Sequence, residues 1–77
     1  MDKTICEHDG VVLLRDLPEK GLVAGETGVV VYVYENARAF EVQFPNPSGS
    51  PRYVVATIEA ADVLKLVNHG VPRAQAG

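Results

Sequence analysis

The sequence holds a single cysteine, Cys6, and no tryptophan. One cysteine excludes an internal disulfide. No CxxC or HxxxH spacing suggests a structural zinc site. Basic clusters are missing as well. Lys3, Arg15, Lys20, Arg38, Arg52, Lys65 and Arg73 are spread singly, and seven basic side chains face ten acidic ones for a formal charge of −3. Nucleic-acid binders draw most of their affinity from neutralised phosphates, and that footprint is absent here. No apolar run approaches the roughly 20 residues that a membrane helix requires. The segment MDKTICEHDG lacks the apolar centre of a signal peptide. The expectation is a cytoplasmic chain with a reduced thiol, no metal, no cofactor and no catalytic residue.

What the chain does hold is valine in strand-like order. The stretch GLVAGETGVVVYVYENARAFEVQF, from Gly21 to Phe44, reads as a glycine-punctuated loop, a long strand over Thr27–Glu35, a turn at Asn36-Ala37 and a returning strand over Arg38–Phe44. Gly28 is expected to mark a bend or bulge. Phe40, Val42 and Phe44 share one face of the returning strand, and Glu41 and Gln43 the other, which predicts one core face and one wet face. Upstream, Val11–Leu14 suits a short buried strand. Arg15–Glu26 holds Pro18, Gly21 and Gly25 and reads as a loop folded back over the core. Downstream, Pro45–Pro51 reads as an exposed hairpin tip, Arg52–Ile58 as a fourth strand, Glu59–Asp62 as one 3₁₀ turn and Val63–Val67 as a closing strand.

Five short strands at even spacing predict an all-β barrel or sandwich, and at this length a small barrel. Residues 1–9 read as a loose lead-in, 10–67 as the barrel and 68–77 as a flexible tail. The order of strand, long loop, three-strand meander, 3₁₀ turn and strand resembles the SH3-like barrel.

The segments DGVVLLRDLPEKGLVAGETGVVVYVYEN, AFEVQF and YVVATIEAADVLKLV resemble a family of small bacterial proteins catalogued as the domain of unknown function 4926. LPEKGLVAGETGVVV and ATIEAADV are the most specific parts. The resemblance implies the fold rather than an activity. Members are often encoded beside mobile elements or toxin–antitoxin pairs, which implies a partner-binding role. Gly25-Glu26-Thr27-Gly28-Val29-Val30 is more loosely similar to the KOW motif of ribosomal and transcription proteins, without a basic cluster around the glycines. A comparable loop-glycine-valine pattern in the SH3-like part of the nitrile hydratase β subunit implies an accessory-subunit role.

The long strand is apolar on both faces, so it must be covered twice. Two assignments are open. In one, Val30, Tyr32 and Tyr34 face the core. In the other, Val29, Val31 and Val33 do, and Val30, Tyr32 and Tyr34 form an interface, where tyrosine buries area while keeping its hydroxyl wet. The second is preferred. Tyr53 and Phe40 would join that patch from neighbouring strands. Asp16, Glu19 and Glu26 make the long loop acidic and are candidates for docking a basic protein partner.

Cys6-Glu7-His8-Asp9 carries varied chemistry, because residues two apart on an extended chain point the same way. A reactive thiolate still needs an oriented base and an oxyanion hole, and a metal needs three or four ligands. Neither is visible. A carboxylate pair, Glu41 with Glu59, also lacks a catalytic neighbour. Gly21, Gly25 and Gly28 do not form a phosphate loop, since no GxxxxGK[ST] leads into a helix.

A chain of 77 residues buries only about 60% of its unfolded surface. With disulfide and metal excluded, oligomerisation remains as a source of stability. The function expected is therefore a non-catalytic, self-associating protein-interaction module, antitoxin-like or an accessory subunit. The alternative is a KOW-like nucleic-acid-binding barrel with Tyr32, Tyr34, Arg38 and Arg52 as contacts.

Overall fold

A computed structural model describes residues 4–46, 49 and 52–66. Five strands form one antiparallel sheet: β1 (Gly10–Leu13), β2 (Thr27–Val33), β3 (Ala39–Pro45), β4 (Tyr53–Glu59) and β5 (Val63–Lys65). The spatial order is β4-β3-β2-β1-β5. β1, β2, β3 and β4 pair in sequence, with a long loop between β1 and β2 and a short turn between β2 and β3, and β5 returns to lie beside β1. This is the SH3-like arrangement expected from the sequence, with a long first loop and a 3₁₀ turn, Ala60–Asp62, before the last strand. Among the described residues β4 and β5 are not paired with each other.

Every strand and the first loop send apolar side chains inward to one cluster. It comprises Val11 and Leu13 of β1, Leu22 of the loop, Val30 of β2, Phe40, Val42 and Phe44 of β3, Ala56 and Ile58 of β4, and Val63 of β5. No polar side chain is buried among the described residues. The alternation of β3 and β4 thus places their faces as the sequence predicts. The loop does fold over the core. Leu17 and Leu22 bridge each other around a 3₁₀ turn, Pro18–Lys20, and Leu22 is fully buried. Burying a leucine contributes about 2 kcal/mol, which ties an otherwise irregular segment to the fold.

The long strand departs from simple alternation. Val30 pairs with Val42 and Tyr32 with Glu41, so Val31 is an extra residue without a partner, a β-bulge. Val30 points inward, Val31 and Tyr32 both point outward, and Val33 turns inward again. The bulge expected at Gly28 therefore lies three residues later. Gly28 serves instead as a point of close approach, because it faces inward where β3 passes against it. The β2–β3 turn uses left-handed backbone at Asn36, φ 62°, as the sequence predicts, and also at Ala37, φ 53°.

The lead-in is tied down from Thr4 onward. The His8 N–H donates to the Val30 carbonyl at 2.7 Å, and the Val30 N–H to the Asp9 carbonyl at 2.9 Å. Ile5 packs against the core, and Lys65 Nζ donates to the Thr4 carbonyl at 2.8 Å. These contacts hold residues 4–9 against the barrel, because β2 runs on past its pairing with β1 and has backbone groups to offer there. Most of the hairpin tip Pro45–Pro51 and the whole of the tail 68–77 lie outside the described residues.

Candidate functional site

The bulge decides what the outer side of the sheet displays. Val29, Val31 and Tyr32 of β2 are 45%, 40% and 51% exposed, and Tyr53 and Val55 of β4 are each 49% exposed. Val30, expected beside the tyrosines, is 0% exposed. It is removed from the interface set, because the strand switches parity between it and Tyr32. Val29 and Val31, expected in the core, take its place outside. Phe40, expected to extend the patch, is buried in the core.

The outward residues form two neighbouring regions. The first is an open groove of about 570 Å³. Val29 and Val31 line it from β2, Gln43 from β3, Tyr53 from the start of β4, Leu66 from beyond β5 and His8 from the lead-in. The second is a polar row across three strands. Tyr32 stands opposite Glu41, which stands opposite Thr57. The Tyr32 and Tyr34 rings meet edge to face, with centroids 4.9 Å apart and planes at 80°. The Tyr34 hydroxyl donates to Glu41 Oε2, and the Thr57 hydroxyl donates to the same oxygen at 2.7 Å.

These bonds set the protonation of the row. The hydrogen bond from Tyr34, then the one from Thr57, hold the Glu41 carboxyl below the usual carboxylate range. Loss of the Tyr34 proton would remove its bond to Glu41, so the phenol is pushed above its ordinary range, with desolvation and the Glu41 charge adding to the shift. The result is a fixed, ionised acceptor on an exposed surface. Tyr53 does not join this row. It lies four residues from Thr57 along β4, about 13 Å at strand rise, and belongs to the groove.

The contacts of the nucleic-acid alternative are divided: Tyr32, Tyr34 and Arg38 lie by the β2–β3 turn, and Arg52 lies apart. Arg38 precedes the first residue of β3 and Arg52 the first of β4, and these starts lie at opposite ends of the β3–β4 ladder. Lys65 and Arg15 are engaged with Asp9 and Asp62, each at 3.4 Å. Next to the tyrosines stands the Glu41 carboxylate, with Lys20 near enough to favour its ionised form.

The acidic loop residues have structural duties. Asp16 Oδ1 accepts the Ala24 N–H at 2.9 Å, and Glu26 Oε2 accepts the Val23 N–H at 3.0 Å. Glu19 sits on the exposed 3₁₀ turn. Cys6 and His8 lie in a turn rather than an extended segment. The Asp9 N–H bonds the Cys6 carbonyl at 3.1 Å, the Cys6 N–H bonds Asp9 Oδ2 at 2.8 Å, and His8 has φ 76°. Among the described residues no group of three or more histidine, cysteine or acidic side chains could hold a metal. No helix among them is long and apolar enough to cross a membrane. Glu59 stands opposite Ala39, one outward position beyond the Glu41–Thr57 pair. The Tyr34–Glu41–Thr57 row could not be read from the sequence. Outward positions were visible, but the strand register that joins them was not.

A small all-β chain with an apolar groove and a polar tyrosine row is the class that fold and surface define. The model of a domain of unknown function, DUF4926, matches residues 7–65. The chain belongs to that family. No curated protein and no solved structure matches it.

Proposed function

We propose that this chain is a non-catalytic protein-interaction module that self-associates and offers the outer side of β2–β4 as a contact surface. The observation that carries this reading is the set of half-exposed apolar residues, Val29, Val31, Tyr32, Tyr53 and Val55, outside a core that is already complete. Contiguous apolar surface of this kind is commonly covered by protein. The groove is partly open rather than enclosing, which suits a polypeptide better than a small substrate. Glu41, ionised and doubly hydrogen-bonded, can orient a partner's donor but is poorly placed to carry a proton near neutral pH.

The first loop supports a second contact. Asp16 and Glu26 hold its shape by accepting backbone N–H bonds, while Glu19 stays exposed. A preformed acidic loop suits a basic protein partner. A cytoplasmic antitoxin-like or accessory-subunit role would use that loop as its docking surface. The test is the light-scattering mass of the purified chain across a wide range of concentration. A mass rising above one chain is expected, and one-chain mass throughout would overturn self-association.

A further inference from the structure

We propose that the corner formed by Tyr32, Tyr34 and Glu41 is a docking site for an arginine side chain presented by a partner protein. This rests on the interaction-module reading and deepens it by naming the group that the partner presents.

Three observations point to a cation. The first is the ring pair. Tyr32 and Tyr34 are both exposed, and their planes stand at 80°, so the pair turns aromatic surface in two directions. An aromatic face carries negative potential and attracts a cation laid over it. The second is the carboxylate beside the rings. Glu41 stands opposite Tyr32 and accepts the Tyr34 hydroxyl. Its two hydrogen bonds, from Tyr34 and Thr57, both end on Oε2, and Oε1 receives none among the described residues. Those bonds hold the group in place before a ligand arrives and leave one oxygen to accept. The third is the surrounding charge. Glu59 faces outward two positions beyond Thr57, on the same side of the sheet as Glu41. Lys20 lies near enough to favour the charge on Glu41, and Arg38 stands at the end of the β2–β3 turn. Yet none of these four side chains is in an ion pair among the described residues.

Arginine meets these features better than other ligands. Its planar guanidinium can stack on a tyrosine face while an N–H along its edge donates to Oε1. Because Oε2 is already taken, the usual forked pair with a carboxylate is not available, and stacking becomes the larger part of the contact. A lysine ammonium is more strongly hydrated and has no plane to stack. A nucleobase could stack on the rings, but its phosphates would then lie near Glu41 and Glu59. The corner stands on an exposed face of the sheet rather than in a cavity, which suits a side chain carried on a polypeptide. The formal charge of −3 favours a partner that is basic overall.

The experiment titrates the full chain at low concentration with acetyl-Gly-Arg-Gly-amide at constant ionic strength, and follows tyrosine ring and backbone amide resonances by NMR. Peptides with lysine or neutral citrulline in place of arginine are the comparisons. Saturable shifts centred on Tyr32, Tyr34 and Glu41 are expected with arginine, weaker binding with lysine and none with citrulline. Glu41→Gln should weaken binding about fivefold, the scale of an exposed ion pair. Tyr32→Ala should weaken it about threefold, the scale of an exposed cation–π contact. Glu7→Gln, on the lead-in, should leave it unchanged and controls for the loss of one negative charge. All three positions are exposed or half-exposed, and circular dichroism checks the fold of each variant. No saturable shift, equal binding of the lysine or citrulline peptide, or shifts centred on the acidic first loop overturn the site. Resonances of the corner that move with protein concentration alone put a second copy there and overturn a foreign partner. The light-scattering mass is read separately. One-chain mass overturns self-association and leaves this site standing, whereas a failed titration overturns this site and leaves self-association standing.

Discussion

Gly28 of β2 lies so close to β3 that a Cβ on it would stand 2.7 Å from the Gln43 carbonyl oxygen. The same Cβ would meet Val42 Cγ1 at 2.8 Å and Phe44 Cδ1 at 2.9 Å. The side chains could shift, but the carbonyl belongs to a paired strand and cannot. Gly28→Ala is therefore expected to destabilise the fold by about 3 kcal/mol, at the upper end of overpacking costs. The check is a lowered urea midpoint with an unchanged slope.

Leu22 is a loop residue with the burial of a core residue. Leu22→Ala should cost about 2–5 kcal/mol, enough to unfold much of a chain this small at ambient temperature. Its exposed neighbour makes the control. Val23→Ala should stay within about 0.5 kcal/mol. Paired urea melts separate a loop that closes the core from one that merely spans it.

The Tyr34–Glu41 bond should be visible in both partners' titrations. The absorbance difference between wild type and Tyr34→Phe isolates Tyr34, and its midpoint should lie above that of an ordinary tyrosine. Glu41→Gln should lower it. Because the folded Tyr34 value is raised, its contribution to stability is present below the ordinary phenol range and is lost as pH rises through the folded value. Glu41 runs the other way. Its folded value is lowered, so its contribution is present above the ordinary carboxyl range and is lost as pH falls through the folded value. Stability of wild type relative to Glu41→Gln, followed by melting temperature against pH, should therefore diminish at the acid end. Both groups are highly solvated, so the effects should be small and should shrink with added salt.

Ala37 holds a left-handed backbone, φ 53°, while its side chain packs against the core. A branched side chain tolerates that backbone poorly. Ala37→Val should destabilise by about 2 kcal/mol. Ala37→Gly should stay within about 1 kcal/mol of wild type, because relief of backbone strain offsets the lost methyl. Thermal melts of the two variants give the comparison.

Particular residues show where sequence reasoning succeeds and where it stops. Phe40, Val42 and Phe44 announce an inward face by plain alternation, and β3 has no bulge to spoil it. Tyr53, Val55 and Thr57 likewise fall outward as their spacing requires. Asn36 marks its turn because asparagine accepts left-handed geometry. β2 resists the same treatment. A two-residue period assumes one partner for every residue, and Val31 breaks that assumption. Both simple parities for the valine–tyrosine run are therefore wrong in part, since Val30 and Val33 face inward and Val31 and Tyr32 do not. The polar row needed a third dimension. Tyr34 and Glu41 are seven residues apart, and Glu41 and Thr57 sixteen. Only strand register brings them to one oxygen. The acidic loop was legible as charge, but which carboxylates were already committed to backbone N–H groups was not.

Val31 also bears on insertions and deletions in this lineage. Excising that one codon would leave Val30 opposite Val42, Tyr32 opposite Glu41 and Val33 opposite Phe40, all as they stand now. Relatives one position shorter here could keep every inward side chain and lose only the local bend. Gaps are usually assigned to loops, but in this chain the middle of β2 is a place where length can vary without rewriting its neighbours.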